Sequence, residues 1–191
     1  MPTLLLLHEG AADAAALRAA LSSTSYRVAG ELSDAARLGA EVGRVAPDVI
    51  IACTQTPSAA VLDALRSLAA AAPRPVVMFA TDPRREVIRR TVEAGVAAYV
   101  VDGWSHARVG AIIEAAIARF DAYESLKREL RTTQDKLAER KIVEKAKGLV
   151  MQQRGVSEDQ AYSSLRKMAM DQNLTLAEVA RRVVAVAHLL A

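Results

Sequence analysis

Five positions in this chain carry side chains able to do chemistry and lie where a short apolar run gives way to polar residues. They are His8 and Glu9 after "TLLLL", Cys53 after "DVIIA", Thr81 after "VVMFA" and Asp102 after "AAYVV". Carboxylates gathered at such exits can hold a hard divalent cation, and a carboxylate there can accept a phosphoryl group. A thiol has three options: a small apolar strand-end residue, a redox sensor or a nucleophile. The nucleophile needs a base, and although His8 would share the sheet edge with Cys53, neither a triad nor an oxyanion loop is visible. No neighbouring residue is of a kind that lowers a thiol pKa, so the small apolar reading of Cys53 is favoured, ahead of redox sensing and then catalysis.

The elements that position these residues follow from periodicity. From Thr3 to about Arg119, short apolar runs alternate with amphipathic segments, each run ending in a turn former. The strand candidates are "TLLLLH", "YRVAGEL", "DVIIAC", "PVVMFAT" and "AAYVVD". Their interiors are apolar throughout rather than alternating, which suits a parallel sheet covered on both faces. The helix candidates are "ADAAALRAALSS", "DAARLGAEVGRV", "SAAVLDALRSLAAA", "RREVIRRTVEAG" and "HARVGAIIEAAIARF". Five strands and five helices of this length predict a flavodoxin-like, doubly wound α/β domain with a five-stranded parallel sheet. A hydrophobic content of 52% is ample for its core. A lone cysteine forms no internal disulfide, and no Cys/His cluster has metal-ligand spacing, which argues for a reduced compartment, no structural zinc and no cofactor. The apolar start "MPTLLLLHEG" is too short to span a membrane and lacks a leader pattern, so a soluble, cytoplasmic protein is expected.

Beyond Phe120 prolines vanish, charges rise and nothing reads as a strand. Tyr123, Leu126, Leu130, Thr133 and Leu137 follow alternating steps of three and four, a narrow seam that meets another helix in a coiled coil, or lies on the chain's own N-terminal domain. The pattern continues into "KIVEKAKGLVMQQRG", where Ile142, Ala146, Leu149 and Val150 form a broader apolar face and Gly155 ends the helix. "SEDQ" at Ser157 to Gln160 and "TLAE" at Thr175 to Glu178 both have capping-box spacing. The first opens a helix to about Ala169; the second opens a helix with Val179, Val183, Val186 and Leu190 on one face.

The stretch "KIVEKAKGLVMQQRGVSEDQAYSSLRKMAMDQNLTLAEVARRVV" resembles an ANTAR domain, the RNA-binding module of AmiR and NasT type transcription antitermination regulators. Its segments "AKGLVM", "RGVSEDQAYSSLRKMAM" and "LAEVARRVV" stand in the family's order and spacing. The N-terminal part resembles the receiver domain of response regulators, and "AAYVVDGW" with "RKIVEKAKGLVM" is closest to the NasT-like branch. The expected organisation is therefore a (pseudo-)receiver over 1–120, a helical coiled-coil linker over 121–140 and an all-α, three-helix ANTAR domain over 133–191.

The net charge of +3 and pI near 9.2 are too mild to prove nucleic-acid binding, so the placement of the basic residues decides. Lys141, Lys145, Lys147, Arg154, Arg166, Lys167, Arg181 and Arg182 cluster with fewer acids between them, which suits phosphate contact. Lys141, Lys145 and Gly148 fall on neighbouring turns, and Gly148 permits close approach of a backbone, whether RNA or a packing helix. Tyr162 can stack on an unpaired base or be a core tyrosine with a satisfied hydroxyl. Arg166 and Lys167 are phosphate contacts or solvated charges.

The resemblance implies binding to paired stem-loops of nascent leader RNA, preventing a downstream terminator, with a homodimer as the active form and no reaction catalysed. It also allows each receiver position to be inspected. Receiver chemistry uses consecutive acids, an aspartyl acceptor, a hydroxyl and a lysine. By strand position these are His8 and Glu9, Cys53, Thr81 and Asp102; only Glu9 and Thr81 match. Asp48 precedes its strand at the far end from the switch loops, and Tyr99 matches the aromatic of the fifth strand. A pseudo-receiver that binds no Mg²⁺ and is not phosphorylated on aspartate is expected, controlled by a ligand-sensing partner protein. That partner is a nitrate or nitrite sensor in the NasT-like case and an amide sensor in the AmiR-like case. A DNA-binding response regulator is the competing function, less compatible with the long first helix.

Overall fold

The computed structural model describes the backbone of residues 1–22, 24–102 and 107–189, and their side chains except those of 11–14 and 188–189. The expected positions of Gly103, Trp104, His106 and Leu190 lie outside the described residues. The chain divides into two compact units, Met1–Glu124 and Ser125–Ala191.

The first unit is the doubly wound domain. Its strands are β1 (Thr3–His8), β2 (Arg27–Leu32), β3 (Val49–Thr54), β4 (Val76–Ala80) and β5 (Ala98–Val101). They form one parallel sheet in the order β2-β1-β3-β4-β5. The helices are α1 (Ala11–Leu21), α2 (Leu38–Val45, preceded by a 3-10 turn Ala35–Arg37), α3 (Ala59–Ala71), α4 (Arg85–Glu93) and the start of α5 (Val109–Arg154). The turn before α2 replaces the expected first helical turn because the Asp34 carboxylate accepts from the Ala36 N–H and caps the chain there. Central strands β3 and β4 are buried along their whole length, as unbroken apolar runs require. Edge strand β2 is half-exposed, which explains its polar Arg27 and Glu31. One cluster around Leu5, Ile50 and Met78 fills one face of the sheet; another around Leu6, Ile51, Phe79 and Ile113 fills the other.

In the second unit, α5 continues to Arg154, where Gly155 at φ 62° takes the left-handed conformation that ends it. Helices α6 (Glu158–Asp171) and α7 (Leu176–Leu189) follow. Both capping boxes form. Gln160 N–H donates to Ser157 Oγ while Gln160 Oε1 accepts from Ser157 N–H, and Thr175 and Glu178 exchange the same pair of bonds. The core of the unit is Ala146, Val150, Ala161, Leu165, Ala169, Val179, Ala180 and Val184, with Ile142, Leu149 and Val183 packed against it. One expectation needs correction: Val186 is exposed rather than on the core face of α7, and Val184 is buried in its place. At 3.6 residues per turn Val186 lies within about 20° of Val179, so helical spacing by itself does not separate it from the core face; the covered edge is the one that carries Ala180 and Val184.

Candidate nucleic-acid interface

The ends of β1, β3, β4 and β5 bring the expected receiver positions to one edge of the sheet. His8 pairs in register with Cys53, and Cys53 with Phe79. Cys53 is buried in the apolar cluster below the edge, in keeping with its small apolar reading. Glu9 is already engaged: its carboxylate accepts the Thr54 hydroxyl at 2.5 Å. His8 Nε2 lies 3.2 Å from Glu31, whose other oxygen takes Arg18 at 2.6 Å. Asp102, expected at the lysine position, follows β5 with φ 47°. Asp48 lies at the opposite end, accepting from the Thr3 N–H and hydroxyl, which hold its carboxyl below the usual aspartate range. Among the described residues no three His, Cys, Asp or Glu side chains are grouped to hold a metal ion.

Sequence reasoning missed Asp82, the residue after Thr81. Its buried carboxylate accepts from the Thr56 hydroxyl at 2.9 Å and from the Arg84 guanidinium at 2.6 Å, and Arg84 above all holds its pKa far below the ordinary aspartate range. The Gln55 carbonyl meanwhile accepts from the N–H groups of Thr81 and Asp82. The Asp82 carbonyl takes the Tyr99 hydroxyl at 2.8 Å. Asp82 thus ties the loops after β3 and β4 together through its carboxylate and holds the fifth-strand aromatic through its carbonyl. "TDPR" held the signal, since an aspartate two residues before an arginine at a helix start can bond that residue's N–H.

In the second unit the eight expected contact residues separate into groups. Lys141, Lys145 and Gly148 occupy one stripe of α5, and all three are exposed. Gly148 stands in the helix interior, and apart from the adjoining backbone of α5 no described atom lies within 4 Å of where a Cβ would be. Among the described residues no packing requires a glycine there, and glycine costs a helix roughly 1 kcal/mol relative to alanine. Gly148→Ala is therefore expected to raise the unit's stability by about 0.5–1 kcal/mol in a denaturant titration, while weakening any ligand whose backbone approaches that stripe.

Lys147 departs from the expectation of a nucleic-acid contact. It is only 8% exposed, and its ammonium lies 2.8 Å from Glu144 and 2.6 Å from Glu158 at the start of α6. Those bonds, first to Glu144, raise its pKa, and Lys147 in turn lowers that of Glu158. A charge clamped by two carboxylates ties α5 to α6. Lys147→Met should lower the thermal midpoint at pH 7. A depressed Glu158 stabilises above the unfolded glutamate value of 4.5 and loses that contribution as pH falls through its folded pKa. Melting curves should therefore show the wild-type advantage shrinking below about pH 4.5. It should shrink also at high pH, as Lys147 deprotonates above its raised pKa.

Arg154 lies on the same flank of α5 as Lys147, its Nη1 a long 3.5 Å from Ser164 Oγ. On α6, Tyr162 is 42% exposed and, among the described residues, its hydroxyl makes no hydrogen bond, so it is not the satisfied core tyrosine. Tyr162 and Arg166 are four residues apart on one ridge, and the same step continues to Met170, 73% exposed and unremarked from sequence. Lys167 is exposed too, about 100° round the helix from Arg166.

Residues 131–184 match the ANTAR domain family. Over 167 residues, 85% of this chain and 80% of the relative, the sequence is 31% identical to the transcriptional regulatory protein PdtaR of Mycobacterium tuberculosis. The chain belongs to the ANTAR family. This ANTAR regulator is also 43% identical over 72 residues to a nitrate regulatory protein of Klebsiella oxytoca, a match covering 37% of the chain and 18% of that protein. Its N-terminal unit has the receiver fold. The signal receiver domain of a modulated diguanylate cyclase from Desulfovibrio desulfuricans superposes with a TM-score of 0.57 at 21% identity, covering 64% of this chain and 98% of that one. The protein is thus a transcription antitermination regulator with an N-terminal receiver domain followed by a long helix and the ANTAR helices.

Proposed function

We propose that this ANTAR regulator binds paired stem-loops of a leader RNA and so keeps a downstream terminator hairpin from forming. The observation that carries this reading is the α6 ridge, an exposed tyrosine with an unbonded hydroxyl beside Arg166 in an ANTAR core. A-form stems hide their base edges from side chains, whereas loop bases can be splayed and stacked on an aromatic ring. Arg166, with Lys141, Lys145, Lys167 and Arg154, supplies cations for the flanking phosphates. Comparing a stem-loop RNA with the duplex DNA of the same sequence at matched salt tests the reading: tighter binding to the RNA is expected, and equal affinity would sink it.

Control lies in association rather than in aspartyl phosphorylation. A buried thiol stands at the acceptor position, Asp102 at the lysine position, and Asp82 supplies a resident anion beside the switch loops. The input is a ligand-sensing protein that sequesters the regulator. The likeness to a nitrate regulatory protein favours a nitrate or nitrite signal. Acetyl phosphate should leave RNA affinity unchanged, whereas the sensor should change it in a ligand-dependent way. The active form is a homodimer joined at the seam of Tyr123, Leu126, Leu130 and Leu137, which are 53–65% exposed in the single chain.

A further inference from the structure

We propose that the two copies join in opposite directions: an antiparallel coiled coil of α5 in which Leu126 packs on Leu137 of the partner subunit and Glu129 pairs with Lys136 of the partner subunit. The inference rests on the homodimer reading and assigns its geometry. The structure contributes continuity, because α5 runs unbroken from Val109 to Arg154, so one heptad phase holds across the whole seam. In that phase Tyr123, Leu130 and Leu137 take the a positions, and Leu126, Thr133 and Arg140 the d positions. Glu129 and Lys136 then take g, and Lys127, Gln134 and Lys141 take e.

Charge decides the direction. A parallel pair sets each d residue against itself, bringing Arg140 onto Arg140 of the partner subunit, and each g residue against the following e, bringing Lys136 onto Lys141 of the partner subunit. Both are like-charge contacts, and Glu129 would meet only Gln134 of the partner subunit. An antiparallel pair sets a against d and g against g. Tyr123 then faces Arg140 of the partner subunit, a cation over an aromatic ring, and Leu130 faces Thr133 of the partner subunit. Two symmetry-related Glu129–Lys136 pairs flank these layers, and no like charges meet.

Charge also selects the register. Sliding the antiparallel pair by one heptad in one direction puts Glu129 against Glu129 of the partner subunit. Sliding it the other way puts Lys136 against Lys136 of the partner subunit and buries Leu130 on Arg140 of the partner subunit. Only the intermediate register aligns apolar with apolar and acid with base.

Charge reversal in the full-length protein tests this by sedimentation velocity. Antiparallel pairing predicts that Lys136→Glu and Glu129→Lys each weaken the dimer by about tenfold, and that the double variant recovers wild-type association. Parallel pairing predicts the opposite sign for Lys136→Glu, since it would relieve a clash with Lys141. Oxidative cross-linking gives a second readout, with native Cys53 buried. Leu126→Cys mixed with Leu137→Cys should form a disulfide-linked dimer that neither forms alone. If each variant cross-links to itself, the orientation is overturned and the homodimer stands. If the wild-type protein stays monomeric at all concentrations, with the seam left to another partner, both are overturned.

Discussion

Tyr162→Ala is expected to weaken stem-loop RNA binding by roughly 5- to 150-fold, the effect of about 1–3 kcal/mol per stacked base, while leaving the thermal midpoint almost unchanged. The two halves of this expectation come from one fact. The ring is 42% exposed and lies outside the cluster of Ala161, Leu165 and Ala169 that fills the core, so its removal leaves no cavity. Tyr162→Phe should bind like wild type, because the hydroxyl makes no hydrogen bond among the described residues. Fluorescence titration at fixed salt reads both variants. A destabilised Tyr162→Ala protein would return the residue to the core; full binding by a stable one would remove it from the interface. Met170, further along the ridge, should show a smaller loss on replacement by alanine.

Leu126→Asp should cost more, but on one kind of RNA only. On a leader with two linked hairpins, a dimer presents two ANTAR units, and the second binding event is intramolecular. Joining two modest sites in this way can add about 10²- to 10⁴-fold to apparent affinity without any new contact. Placing a carboxylate in the seam should abolish the dimer and that gain with it, whereas affinity for an isolated hairpin should be unchanged. The substitution is safe for the fold of the chain itself, since Leu126 is 65% exposed and changes at exposed helix positions cost within about 0.5 kcal/mol. An equal loss on one hairpin and on two would show that the seam does not act through avidity. The same comparison in Leu130→Asp guards against an effect peculiar to one position.

These expectations rest on features that differ in how far they can be read from residues alone. Local chemistry was legible. Both capping boxes form as Ser157/Gln160 and Thr175/Glu178 spell them, because the bonds involved lie within one turn. The strand ends came within a residue of "TLLLLH" and "DVIIAC", since a run apolar at every position is stable only between two covered faces. The exits holding Cys53, Thr81 and Asp102 follow from those strands.

Residue type and spacing by themselves determined the doubly wound α/β domain and the three C-terminal helices, because each depends on periodicities that a single element carries within itself. Tertiary structure decided what spacing leaves open. Lys147 looks like any other lysine of α5 in the sequence, yet it is clamped by Glu144 and Glu158, because the start of α6 is brought to its side of α5. Val184 rather than Val186 completes the core since the neighbouring helices settle which edge of the apolar face is covered. Asp82 gains its role only when the loop after β3 delivers Thr56 to it. The openness around Gly148 likewise depends on what does not pack there. A side chain's function at such positions is a property of the atoms that folding brings beside it, and its own neighbours along the chain do not contain that information.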